Sequence, residues 1–159
     1  MSYKAAVITV SDKCSTGERV DTSGPAVAEM LEGAGFDVVY KGIVPEERPL
    51  ISAEMVKCVR ELGADIVIST GGTGFSSRDV TPEATRDVIE REVHAIPQAM
   101  LYYSLAITPR AMLSRSVAGI LGSSLIINLP GSEKAARENL SAVIGTLEHA
   151  MHMIAGGGH

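Results

Sequence analysis

The segment Asp65–Thr85, DIVISTGGTGFSSRDVTPEAT, orders its residues in a way that suits an anion better than a core. A short apolar run through Thr70 enters Gly71, Gly72, Thr73 and Gly74, and an Arg78-Asp79 pair follows just before a helix start. Glycines leave room for a ligand and reach positive φ. Successive backbone N–H groups in such a turn form an anion-binding nest, and a helix opening at the same place adds partial positive charge. The string therefore reads as a phosphate cradle. It is not a Walker A loop, because no Gly-Lys-Ser/Thr follows, and it is not a dinucleotide fingerprint, because Ser77 stands at the third glycine position. A tight turn that needs glycine only for its own geometry is the competing reading. The cation and carboxylate at the lip favour the cradle: Arg78 suits a phosphate, and Asp79 suits the metal that accompanies it.

Other segments carry candidates for the same site. Glu46 and Glu47 lie in VPEERP, and carboxylates from separate loops hold Mg²⁺ together with substrate phosphates and water. A solvated acidic pair is the alternative. Asp12 follows an apolar run directly; it suits hydrogen bonds from a ribose or base, or a cap for its own loop. His149 and His152 have no further ligands nearby and are not read as a metal site, and His94 reads as a C-terminal dipole partner of the helix before it. No Ser-His-Asp or Cys-His set is evident. Cys14 and Cys58 lack C-x-x-C spacing and read as two reduced thiols.

The elements that must position these residues are legible from periodicity. Tyr3–Val10 is an apolar run and predicts a buried first strand; FDVVYKGIV and DIVIST predict two more. Between them, SGPAVAEMLEGAG predicts a helix with Ser23 as cap, and LISAEMVKCVRELG one with Ile51, Met55, Val59 and Leu62 inward. TPEATRDVIERE predicts a helix capped by Thr81, with another through PQAMLYYSLAI. Two apolar runs around Gly122-Ser123 predict a β-hairpin, and Leu140, Val143, Ile144, Leu147, Met151 and Ile154 mark a long last helix starting from Ser132. Alternating strands and helices predict an α/β fold, a three-layer α/β/α sandwich. Its sheet is expected to be mostly parallel with one antiparallel strand, in a single domain over residues 1–159. Ligands of such sheets bind beyond the carboxyl ends of the strands. Four loops, from Ser11, Pro45, Gly71 and Pro130 onward, are expected to converge there.

With 159 residues, 19 acids against 14 bases and a net charge of -5, the chain is not expected to bind nucleic acid or an anionic membrane non-specifically. It shows no signal peptide and no run of about 18 apolar residues. The reading is a full-length, cytoplasmic, soluble protein.

The strings TVSDKCSTGERVDTSGP, VPEER, STGGTGFSSRDVTPEAT and AMLSRSVAGILGSSLIINLPGS resemble the MogA and MoaB family of molybdenum-cofactor biosynthesis, and the related G domains of gephyrin-like proteins. The resemblance runs in order along nearly the whole chain. It implies a trimeric α/β domain that adenylylates molybdopterin with Mg-ATP and releases pyrophosphate, the product going on to a molybdate-inserting protein. It places Asp12, Thr70, Gly71, Gly72, Thr73, Gly74 and Arg78 on the nucleotide and phosphate side. Ser104, Ser114, Arg115, Pro130, Gly131 and Ser132 fall on the molybdopterin side, and Asp79 and Glu46 serve catalysis and the metal. One position departs: enzyme members carry Val-Pro-Asp-Glu where this chain has Val44-Pro45-Glu46-Glu47. The extra methylene moves the carboxylate by about 1.5 Å. A non-catalytic molybdopterin-binding or carrier protein therefore stays open as the alternative. A dinucleotide pyrophosphatase is a third reading.

Overall fold

The computed structural model describes residues 2–157. Lys4–Val10 (β1), Ile66–Thr70 (β3) and Ser124–Leu129 (β6) are buried almost end to end, because both faces of these strands are covered. Asp37–Val44 (β2) alternates exposed and part-buried residues and forms one edge. The six strands run in the order β2-β1-β3-β6-β5-β4. β1 pairs in parallel with β2 and β3, and β3 with β6. Ala118–Leu121 (β5) runs antiparallel to β6 through the hairpin expected at Gly122-Ser123.

Consecutive strand residues face opposite sides, which divides the core in two. Ala5, Val7, Ile66, Ile68 and Ile127 meet helices Ser23–Gly33 (α2), Ala95–Leu105 (α5) and Glu133–Ile154 (α6). Ala6, Ile8, Val67 and Ile126 meet Arg48–Arg60 (α3) and Thr81–Arg86 (α4). The expected three layers result. On α6, Leu140, Val143, Leu147 and Met151 are buried, with Ile144 and Ile154 packed at the margin. On α3, Ile51 and Met55 are buried as expected, Cys58 joins them and Val59 is only partly covered; the helix ends at Arg60, which leaves Leu62, also partly covered, in the turn that follows. Among the described residues, no helix is long and apolar enough to cross a membrane.

Three local expectations are corrected. The helix expected over Thr81–Glu92 stops at Arg86, and Arg91–Glu92 (β4) pairs with β5 instead, where Glu90 N–H donates to Ile120 O at 2.8 Å and Val93 N–H to Ala118 O at 2.8 Å. A ladder along an open sheet edge here outweighs continuation of a helix rich in β-branched residues. His94 consequently stands before α5 rather than closing a helix, and its Nδ1 lies 3.0 Å from Glu92. Neither Ser23 nor Thr81 caps its helix: the Ser23 hydroxyl donates to Gly131 O at 2.6 Å and the Thr81 hydroxyl to Gly71 O at 2.9 Å. Both hydroxyls tie site loops together. Ser132 does cap α6, accepting from Ala135 N–H at 3.2 Å. The loop after β1 also contains a short helix, Asp12–Ser15 (α1), capped by Ser11.

Candidate functional site

Because β2, β1, β3 and β6 are mutually parallel, Val44, Val10, Thr70 and Leu129 end at one edge of the sheet. The glycine loop leaves β3 there. Gly71 and Gly72 have φ of 106° and 69°, and a Cβ on either would overlap the Val10 carbonyl or the Thr81 hydroxyl. Gly74 is needed for a different reason from the one the sequence suggested: its φ is not positive, and it makes room for the Asp79 carboxylate. The Gly71 amide donates to Leu129 O at 3.0 Å. The amides of Gly72, Thr73 and Gly74 donate to no protein acceptor among the described residues, which leaves three adjacent donors for an anion.

Two clefts open beside this loop. The larger, about 730 Å³, runs from the glycine loop along α5, the 3-10 turn Pro109–Leu113 and the start of α6. It brings together Ser104, Ser114, Pro130, Gly131 and Ser132, and also Asp79. The smaller, about 530 Å³, lies between the loop after β1 and the turn before α6, and brings together Asp12, Glu46, Thr70 and Gly71. Gly72, Gly131 and Ser132 line both. The helix whose N-terminus opens at this junction is α6, of 22 residues, rather than the six-residue α4 that the sequence suggested. Its first-turn amides ahead of the capped Ala135 N–H supply partial positive charge at this junction.

Carboxylates and arginines knit the loops. Asp12 Oδ1 accepts from Glu46 N–H at 2.8 Å, and Glu46 Oε2 accepts from Asp12 N–H at 3.3 Å. Arg78 donates to both oxygens of Asp12, at 3.0 and 2.9 Å, and to Glu47 at 3.1 Å. Loops from β1, β2 and β3 are thus joined by one side chain, which is not among the residues lining either cleft. Arg78 holds the Asp12 carboxyl below the usual carboxylate range. Glu46 shifts the other way: burial pushes its carboxyl up, and the charges of Asp12 and Asp79 add to this. Among the described residues, no group of three or more His, Cys, Asp and Glu side chains could hold a metal by itself. Glu46 lines the smaller cleft and Asp79 the larger, so a divalent ion shared by them would sit at the junction and bring phosphate oxygens with it.

Arg115 also lies outside the lining of both clefts. Its Nε donates to Gly74 O at 2.8 Å, Nη2 to Asp79 O at 2.7 Å and Nη1 to Glu83 at 2.7 Å.

Three cleft residues escaped the sequence reading. Asn139, buried on α6, donates to Ser104 Oγ at 3.1 Å and lines the larger cleft. Its signal was a polar residue on the buried side of an apolar helix. Ser116 shares a 3.1 Å hydrogen bond with Ser114 in the same cleft. Asp21 lines the smaller cleft and accepts from Gly24 N–H at 3.0 Å and from the Thr9 hydroxyl at 2.7 Å.

The profile described as a probable molybdopterin binding domain matches residues 6–149. The chain belongs to this molybdopterin-binding family. It is 41% identical over 152 residues to the molybdopterin adenylyltransferase of Helicobacter pylori (strain ATCC 700392 / 26695), covering 94% of this chain and 86% of that one. It is also 41% identical over 154 residues to the molybdenum cofactor synthesis protein cinnamon of Drosophila melanogaster. That match covers 96% of this chain but only 26% of cinnamon, so the chain spans about a quarter of that relative. The crystal structure of the molybdopterin biosynthesis enzyme MoaB from Thermus thermophilus superposes with a TM-score of 0.92 at 44% identity, covering 97% of each chain. The α/β/α fold with its mixed sheet is shared with that structure.

Proposed function

We propose that this member of the family transfers the adenylyl group of ATP to the phosphate of molybdopterin and releases pyrophosphate. The observation that carries the reading is the junction itself: two separate clefts share Gly72, Gly131 and Ser132. In this reading molybdopterin occupies the larger cleft, among Ser104, Ser114, Pro130 and Ser132, where Met100, Leu101 and Leu113 supply apolar walls for a flat ring. ATP occupies the smaller cleft beside Asp12, Thr70 and Gly71. The activity carried by the name of the Helicobacter relative supports the assignment.

The reaction needs little proton chemistry. A phosphate monoester has its second pKa near about 6 and is mostly dianionic at pH 7. One of its oxygens attacks the α-phosphorus of ATP, the new O–P bond forms, and the bond from the α-phosphorus to the bridging oxygen breaks as pyrophosphate leaves. The work of the protein is to bring two anions into line and to hold the charge that develops. The free amides of Gly72, Thr73 and Gly74 and the α6 N-terminus serve that end. Mg²⁺ entering with ATP would be held by Glu46 and Asp79 and would neutralise the triphosphate. Arg78, with its guanidinium on Asp12 and Glu47, acts by holding the nucleotide-side loops rather than by meeting a phosphate directly.

The apolar side chains of Tyr102, Tyr103, Ile107 and Met112 stand exposed on and after α5. They offer a face for self-association, and a homotrimer is the assembly that the resemblance implies. A cytoplasmic site of action fits the free thiols of Cys14 and Cys58, and a molybdate-inserting protein would take the product. The carrier alternative rests on Glu46, which is engaged with Asp12 and sits where enzyme members have aspartate.

Incubation with molybdopterin and Mg-ATP, followed by chromatography, tests the proposal. Adenylylated molybdopterin and pyrophosphate in equal amounts are expected. Molybdopterin bound but unmodified would instead support the carrier.

A further inference from the structure

The tip of the glycine loop is exposed, and Arg78 ties it only toward Asp12 and Glu47 on the nucleotide side. Phe75, Ser76, Ser77 and Arg78 are all exposed, so burial does not hold this segment. Yet it carries Asp79, and a misplacement of about 1 Å at such a group costs about 100-fold in rate. Something must fix both ends of the tip.

One side chain reaches both. Arg115 Nε donates to the carbonyl of Gly74, where the tip begins, and Nη2 to the carbonyl of Asp79, where it ends. Nη1 reaches Glu83 in the first turn of α4, so the loop is tied to the helix that follows it. The Arg115 amide donates to Thr73 O at 2.9 Å, which fastens the segment before β5 to the same loop. A planar fork with donors in three directions is what this arrangement uses, and an ammonium cannot reproduce it. The Asp79 carboxylate in turn accepts from Ser76 N–H at 2.9 Å, so its orientation depends on the path of the tip.

We infer that Arg115 is a positioning residue: it staples the ends of the Gly74–Asp79 tip, and so sets the Asp79 carboxylate against the Gly72–Gly74 amides, instead of binding the molybdopterin phosphate. The inference deepens the adenylyl-transfer reading and rests on it for the meaning of Asp79. Glu83 is the counter-anchor. It is part-buried, and Arg115 holds its carboxyl below the usual range.

The test compares wild type, Arg115→Lys and Glu83→Gln by amide hydrogen exchange of the peptide spanning Gly72–Asp79, read at the hydrogen-bonded Ser76 and Asp79 amides, by equilibrium binding of molybdopterin, and by turnover per bound molybdopterin across a Mg²⁺ titration. In Arg115→Lys, exchange in this peptide should rise about tenfold while the rest of the chain stays protected. Turnover should fall about 100-fold, with a higher Mg²⁺ requirement. Molybdopterin should still bind stoichiometrically, with Kd within about threefold of wild type. Glu83→Gln should move the same readouts in the same direction by less, which covers the case of an Arg115 variant that does not fold. A Kd for molybdopterin weakened about tenfold or more with loop exchange unchanged would make Arg115 a phosphate ligand and overturn the inference. Unchanged loop exchange in both variants would overturn it as well. A wild type that forms no adenylylated product counts against adenylyl transfer alone, because loop exchange still decides the role of Arg115.

Discussion

The two clefts meet at one turn but are held open by different forces. The larger is walled by α5 and α6, whose inward residues belong to the main core; Ser104, Ser114, Ser116 and Asn139 line it together with two acids, Asp79 and Glu138, and two bases, Arg110 and Lys134. The smaller is ringed by charge, with Asp12, Lys13, Arg19, Asp21, Glu46 and Glu133. Its loops are joined by Arg78 to Asp12 and Glu47, side chains that are 49%, 38% and 50% exposed. Exposed pairs of this kind contribute little to stability. They set geometry more than stability, and they rearrange easily around a charged guest. A packed cleft with apolar walls and balanced charges suits a rigid ring; a loosely tied one with an excess of acids suits a triphosphate that brings its ion. Gly72, Gly131 and Ser132 lie on the seam, so a group from each side would meet over the same amides.

The largest effect expected is beside the seam, at Asp79 on the larger cleft's side. Asp79→Asn keeps the size and the acceptor for Ser76 N–H but removes the charge. Turnover should fall about 100-fold or more, with molybdopterin binding within about threefold of wild type, as measured by product formation alongside fluorescence titration. Parallel loss of binding would make Asp79 a molybdopterin-binding residue and remove its role in the transfer step.

A smaller and one-sided effect is expected from Arg78→Ala. The KM for ATP should rise about tenfold while the molybdopterin Kd and the unfolding free energy change little. An equal loss on both sides would erase the distinction between the clefts. Glu46→Asp tests the same side more gently. It installs the aspartate that the resemblance implies at this position, and activity should rise or stay level within about threefold. A large fall would mean that the reciprocal hydrogen bonds with Asp12 have shaped the loop around glutamate.

How much of this was legible beforehand differs between the two regions. β1, β3 and β6 were readable because strands covered on both faces lose polar alternation, and α6 because its apolar stripe is long enough to fix a period. The hairpin was announced by Gly122-Ser123. Partner choice was not legible. Nothing periodic says that Arg78 turns to Asp12, 66 residues away, or that Arg115 spans the glycine loop, because such pairs depend on which loops the sheet topology brings together. The end of α4 was missed for the same reason: an open edge on β5 competes for residues that locally favour helix. Asn139 was missed because a lone polar residue on an apolar face does not reveal which cavity it borders.

The smallest effect expected is on stability against pH. Asp12, Glu83 and Asp87 have lowered carboxyl pKa values, each chiefly through an arginine hydrogen bond. Their contribution is present above the unfolded values and is lost as pH falls through the folded ones, below the ordinary 3.8 for aspartate and 4.5 for glutamate. Glu46 has the opposite sign: its raised value favours the fold when protonated, and that contribution is lost as pH rises through the folded value. Thermal melts between about pH 3 and 7 should show a modest acid-side decline that shrinks in Arg78→Ala, because Asp12 then loses its partner.

Simultaneous occupancy tests the central claim most directly. Molybdopterin binding is titrated with and without saturating α,β-methylene-ATP and Mg²⁺, a pair that fills the nucleotide side without reacting. The account predicts a ternary complex, with one molybdopterin per chain and an affinity equal to or tighter than that of the free protein. Displacement of one ligand by the other, with competitive kinetics, would place both in the same cleft and contradict it.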